Sequence, residues 1–174
     1  RNSNKKQENS FTFAAISTFV GLWASPTLVL HDIRKIVFKG DMIMERPVIG
    51  IPMGDPAGIG PEIVLKALQN KSLYEKCKPI VIGSLGVLRQ IEEIIKTGCA
   101  LHVVKEPSEG KYEYGKVDLI DLGNVDAKRL QFGAVQAECG RAAFEYIERS
   151  SQLALSGKLA AIATTPINKE AIKA

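Results

Sequence analysis

Gly54-Asp55-Pro56-Ala57-Gly58-Ile59-Gly60-Pro61-Glu62 follows the apolar run Val48–Met53 and precedes Ile63-Val64-Leu65-Lys66-Ala67-Leu68. That order reads as strand, glycine-rich loop, helix. Three glycines let the backbone turn sharply and come close to another group, because no Cβ stands in the way. Pro61 suits a first helical turn, where its missing N–H costs nothing. The free N–H groups at such a helix start can face an anion. Glycine and proline also build ordinary strand-to-helix turns, so the loop has a purely structural reading beside the ligand-binding one. It is neither the dinucleotide fingerprint G-x-G-x-x-G nor a Walker loop, since no Gly-Lys-Ser/Thr follows.

Apolar runs alternate with helical patterns beyond this loop. Val48–Met53 reads as the first strand and Pro61–Gln69 as a helix. Pro79–Ile82 is a second strand ending at Gly83. Leu85, Leu88, Ile91 and Ile95 recur at helical spacing, which predicts a helix over Leu85–Lys96. Leu101–Val104 and Val117–Leu122 read as strands, with a polar loop, Glu106–Tyr114, between them. Gln136–Leu155 reads as a long helix with Ala143, Tyr146, Ile147 and Leu153 toward the core. Ala160–Thr164 reads as a buried strand, followed by the loop Thr165–Asn168. Such alternation predicts an α/β sandwich, a three-layer αβα arrangement around a largely parallel sheet.

In open α/β sheets, ligands bind outside the carboxyl ends of the strands. Two loops hold that position here. The first offers the backbone of Gly54, Gly58 and Gly60 and the carboxylate of Asp55. The second offers the hydroxyl of Thr165, the amide of Asn168 and the ammonium of Lys169. Together they suit a small phosphorylated, hydroxyl-rich substrate or a nicotinamide cofactor. Asp55 has an alternative role in capping its own turn, and Lys169 one as a solvated helix charge. Glu138 and Arg141, three apart at a helix start, read as a surface ion pair.

Composition narrows the class. The 174 residues suffice for one domain of ordinary size. A net charge of +4 is mild, and no basic patch is interleaved with aromatics, so nucleic acid is not an expected partner. Cys77, Cys99 and Cys139 are odd in number and widely spaced, which suggests buried or inert thiols in a reducing compartment. His31 lies in the leader segment ahead of Met44, and His102 lies in a short strand with no acidic or histidine neighbour at ligand spacing, so no metal site is expected within the chain.

The full opening string resembles the start of the 4-hydroxythreonine-4-phosphate dehydrogenase family. Two later segments agree in order and approximate spacing: Gly133-Ala134-Val135-Gln136-Ala137-Glu138-Cys139-Gly140-Arg141-Ala142-Ala143-Phe144-Glu145-Tyr146-Ile147 and Ala161-Ile162-Ala163-Thr164-Thr165-Pro166-Ile167-Asn168-Lys169-Glu170-Ala171. The resemblance extends from Met44 to Ala174. It implies a fold of the isocitrate/isopropylmalate dehydrogenase type. It also implies an NAD- or NADP-dependent, divalent-metal-dependent (Zn, Mg or Co) oxidation, with decarboxylation, of a phosphorylated hydroxy acid. On this reading the substrate is 4-phosphooxy-threonine, in pyridoxal phosphate (vitamin B6) synthesis. Asn168 departs from the His that many enzymes of that pathway carry. The Ile-Asn-Lys form is common in a sister group acting on D-threonate or D-erythronate 4-phosphate, which is the alternative. The family is a cytoplasmic homodimer, so a membrane is not an expected partner. Its metal-binding histidines and Gly-His-Thr motif match nothing here and are expected beyond Ala174.

Both ends shape the expected organisation. The chain stops at Lys173-Ala174, within the first turn of a helix, so residues 44–174 are expected to be a truncated, N-terminal portion of the dehydrogenase fold. A non-catalytic phosphate- or nucleotide-binding fragment is the reading from another class. Residues 1–43 are expected to be a non-native leader. The run from Phe11 to Leu30, preceded by Lys5 and Lys6, has the apolar character of a signal peptide or short membrane span, interrupted by Ser17, Thr18, Gly21, Ser25 and Pro26. Lys39-Gly40-Asp41 can be encoded by AAA-GGA-GAT, a bacterial ribosome-binding sequence about eight nucleotides ahead of the Met44 codon. Upstream sequence read through to Met44 accounts for the leader; a targeting segment or membrane anchor is the alternative.

Overall fold

The computed structural model describes residues 45–174. The leader and His31 lie outside the described residues.

Five parallel strands form one sheet in the order β3-β4-β2-β1-β5. They are β1 (Val48–Pro52), β2 (Lys78–Gly83), β3 (Ala100–Val104), β4 (Lys116–Asp121) and β5 (Ala161–Ile162). Helices α1 (Gly60–Ala67), α2 (Lys71–Lys76), α3 (Leu85–Ile95), α4 (Ala137–Leu155) and α5 (Lys169–Lys173) fill the connections. The strands at the centre are continuous apolar runs because both sheet faces are covered. Ile80, Val81 and Ile82 of β2 are all fully buried. Each such side chain contributes about 1.5–3 kcal/mol by leaving water.

Parallel crossovers are right-handed. The chain moves from β1 toward the β3 edge through α1, but from β4 back across to β5 through α4. This reversal puts α1 and α3 on one face and α4 on the other, giving the three layers. Helical spacing supplies the buried stripe of each helix. In α1 and just beyond, it is Val64, Leu65 and Leu68; in α3, Val87, Leu88 and Ile91; in α4, Cys139, Ala142, Ala143, Tyr146, Ser150 and Leu153.

Three expectations need correction. Ala160–Thr164 is not a buried strand. Only Ala161 and Ile162 pair with β1, at Ile49 and Gly50, and Ala161, Ala163 and Thr164 are exposed. The segment is an edge among the described residues, so its apolar composition does not mean that both faces and both sides are covered. Helix α2 was not anticipated. It is started by Asn70, whose side chain accepts from the Ser72 N–H at 3.1 Å. Arg141 does not pair with Glu138; its Nε lies 3.8 Å from Glu145, the partner one helical turn onward.

His102 also gains a partner that sequence spacing did not offer. The β3–β4 register sets it opposite Asp118. Its Nδ1 lies 2.6 Å from Asp118 Oδ1, and the Lys111 and Tyr112 N–H groups donate to the same carboxylate at 3.1 and 2.7 Å. Asp118 is 1% exposed, so these bonds offset its desolvation. The carboxylate thereby folds the 105–116 connection back onto the sheet. Among the described residues, no helix is long and apolar enough to cross a membrane.

Candidate ligand site at the carboxyl ends of β1 and β5

Strand β1 sends its chain to one neighbour, β2, and receives its other neighbour, β5, from the opposite direction. A crevice forms where connections diverge in this way, outside the carboxyl ends of the strands. The loops following β1 and β5 stand at that end of the sheet, and they touch. The Asp55 N–H donates to Pro166 O at 3.2 Å, and the Thr165 hydroxyl donates to Pro52 O at 3.0 Å.

The glycines of the first loop serve this contact. Gly54 has φ +76, and a Cβ there would stand 2.4 Å from Pro166 O and 2.5 Å from Thr165 Oγ1. A Cβ on Gly60 would stand 2.3 Å from Met53 O and 3.0 Å from Thr165 Oγ1. A side chain at Gly54 would push the two loops apart; one at Gly60 would press chiefly on the Met53 carbonyl of its own connection. Gly58 has more room: its nearest neighbours belong to Asp55, and its N–H closes the turn on Asp55 O at 3.0 Å.

Asp55 is 4% exposed. Its Oδ1 accepts the Ala57 N–H at 2.9 Å, the turn-capping role described for such residues. Asn168 starts α5, its Oδ1 accepting from the Glu170 and Ala171 N–H groups at 3.0 and 3.2 Å. That leaves the Asn168 amide NH₂ free of the cap. Lys169 is exposed, and no carboxylate among the described residues pairs with it. The seven predicted positions therefore lie on two adjoining loops with divided labour. Gly54, Asp55, Gly58, Gly60 and Thr165 make contacts within and between the loops, whereas the Lys169 ammonium and the Asn168 NH₂ make no side-chain hydrogen bond or ion pair among the described residues.

Two contributors were missed. The connection after β4 supplies a third wall, because the Gly133 N–H donates to Ala57 O at 2.8 Å. Its base is held by Asn124, which accepts from the Tyr146 hydroxyl at 2.9 Å and donates to Glu145 at 2.6 Å. Asp121, at the end of β4, accepts the Leu85 and Gly123 N–H groups, both at 3.0 Å. A carboxylate of the protein thus already occupies the start of α3. An aspartate closing an apolar strand run was the available signal.

Cys139 packs beneath the first loop. Burial pushes its thiol up to about 11, with the Asp55 carboxylate adding to the effect. It is a protonated, inert thiol near neutral pH. A hollow of about 520 Å³ beside α4 and α5, bordered by Glu138, Arg141, Phe144 and Ile172, lies away from the paired loops. Among the described residues, no group of three His, Cys, Asp or Glu side chains could hold a metal ion. The residues present therefore do not fit a metal centre by themselves.

Residues 75–174 match the family described as pyridoxal phosphate biosynthetic protein PdxA. A curated relative from Clostridium botulinum is 50% identical over 132 residues, covering 76% of this chain and 40% of the relative. One from Symbiobacterium thermophilum is 54% identical over 129 residues, covering 74% and 38%. Both bear the name "Putative D-threonate 4-phosphate dehydrogenase". A 4-hydroxythreonine-4-phosphate dehydrogenase structure from Burkholderia phymatum superposes with TM-score 0.71 at 44% identity, covering 74% of this chain and 38% of that one. Another, from Klebsiella pneumoniae, gives 0.68 at 41%, covering 73% and 39%. The chain spans about 40% of the length of these relatives.

Proposed function

Because the chain belongs to the pyridoxal phosphate biosynthetic protein PdxA family, we propose that the complete protein oxidises a phosphorylated four-carbon hydroxy acid. The hydroxyl β to the carboxylate becomes a ketone, its hydride passing to NAD or NADP and its proton to solvent. The β-keto acid then loses CO₂, the ketone accepting the electron pair left behind. A divalent metal belongs to this proposal, with ligands outside the described residues. So do a homodimer and a cytoplasmic location.

One observation supports the proposal: the loops after β1 and β5 are interlocked, and the second carries Asn168 and Lys169 just beyond the carboxyl end of β5, the end of the sheet where such folds bind ligands. These groups would hold an anionic end of the substrate, phosphate or carboxylate. D-Threonate 4-phosphate is the favoured substrate, since identity is 50–54% to the relatives named for it. The structures named for 4-hydroxythreonine 4-phosphate are 41–44% identical, and that compound is the second reading.

The test is an assay of the complete protein with both acid phosphates, both nicotinamides and added divalent metal. We expect nicotinamide reduction with at least one substrate. K169A should raise KM about tenfold, the loss of one charge-assisted contact, with a smaller change in kcat. Binding of the acid phosphates without any reduced nicotinamide would favour the non-catalytic reading instead. Unaltered KM in K169A would remove Lys169 from the site.

A further inference from the structure

We propose that Thr165 is a positioning residue: its hydroxyl is the clasp that sets the distance between the two ligand loops. The proposal rests on the functional reading above and assigns Thr165 a task other than touching substrate. Strand β5 ends at Ile162, and its ladder with β1 weakens beyond that point. Ala163 N–H still donates to Gly50 O at 2.9 Å, but Thr165 N–H reaches Pro52 O only at 3.4 Å. The Thr165 hydroxyl makes the shorter link to that same carbonyl, at 3.0 Å.

Its surroundings show a seat made for it. The positions a Cβ would take on Gly54 and Gly60 lie 2.5 and 3.0 Å from Thr165 Oγ1. The Thr165 hydroxyl thus shares these seats with backbone carbonyls, Pro166 O at Gly54 (2.4 Å) and Met53 O at Gly60 (2.3 Å), so a side chain at either glycine would crowd it. Next to the clasp, the Asp55 N–H crosses in the other direction to Pro166 O. The two links tie residues 52–55 to residues 165–166. Three residues later come Asn168 and Lys169. Loss of the hydroxyl would leave each loop folded but free to part from its partner, changing how both reach one ligand.

The experiment uses the complete protein as wild type, T165V and T165S. T165V should raise KM for the acid phosphate about tenfold while kcat changes less than about threefold, and T165S should recover most of the loss. Hydrogen exchange provides the readout independent of activity. In T165V, the Asp55 and Thr165 amides should exchange at least tenfold faster, while the β1–β2 amides keep their protection. Should the valine methyl prevent folding, T165A, which only removes atoms, takes its place. Equal KM and equal Asp55 exchange in wild type and the hydroxyl-free variant would overturn the proposal. If wild type turns over neither acid phosphate, the functional reading fails, and the exchange data alone decide for or against the clasp.

Discussion

Replacing Gly140 by alanine should undock α5 while leaving the core intact. Gly140 lies in the first turns of α4, and a Cβ there would stand 2.0 Å from Ala171 O, 2.1 Å from Ala171 C and 2.5 Å from Ile172 N. All three are backbone atoms, so no side chain can rotate away. Ordinary contact requires α5 to withdraw by more than about 1 Å. Forced overpacking of this kind costs about 1–3 kcal/mol. Alanine in the helix interior returns about 1 kcal/mol through propensity, so the close contact wins and α5 must move. A helix of five residues does not persist without its dock. The Ile172→Asn168 and Ala174→Glu170 backbone bonds, at 3.1 and 3.0 Å, should therefore open together with the Asn168 cap. Hydrogen exchange on G140A should show faster exchange at Glu170, Ala171, Ile172 and Ala174. The urea midpoint of the core should hold or rise slightly. A variant with full protection at Ile172 and a raised midpoint would refute the reasoning, because α5 would then tolerate the methyl group in place.

Two other outcomes follow from the electrostatics. D118N should lose about 2–4 kcal/mol in urea unfolding, because an amide cannot accept from Lys111 N–H, Tyr112 N–H and His102 together, and bonds to a charged acceptor are worth about 1.5–3 kcal/mol each; a loss under about 0.5 kcal/mol would show the carboxylate to be dispensable. The Lys158 hydrogen bond, aided by the charges of Lys158 and Arg149, holds the Glu106 carboxyl below its ordinary 4.5. Its contribution is therefore present above about pH 4.5 and fades as pH falls through the lower folded value. E106Q should flatten the acid side of the midpoint-against-pH curve, and superimposable curves would remove Glu106 from the acid response.

Much of this architecture was legible because its signals are local. Strand runs such as Pro79–Ile82 are apolar throughout, and Leu85, Leu88, Ile91 and Ile95 keep helical spacing. The two ligand loops were legible from their place after strands. What each residue does in them was not. Asp55 looks identical in sequence whether it caps a turn or faces a ligand, and only its 2.9 Å bond to Ala57 N–H separates the two. The His102–Asp118 contact depends on the β3–β4 register, which joins residues sixteen apart. The exposure of Ala161 depends on strand order, since β5 stands at the edge of the described sheet. Gly54 and Gly60 suggested a cradle for a ligand, and their closest neighbours are Thr165, Pro166 and Met53 of the chain itself.

The clasp between Thr165 and Pro52 also has a history in time. Its two ends are 113 positions apart. A ribosome adding about 5–20 residues per second takes roughly 6–23 s to make that stretch. For most of that interval the Gly54–Gly60 loop is already synthesised, and once β2 is made it is the described neighbour with which β1 can pair. Strands β2, β3 and β4 can join the sheet while β5 is still unmade, so the site closes last. A nascent chain can thus possess four of the five described strands before the loops after β1 and β5 can meet. Pairing across such a separation is slow to form, which makes the β1–β5 seam the late step in assembling the described sheet.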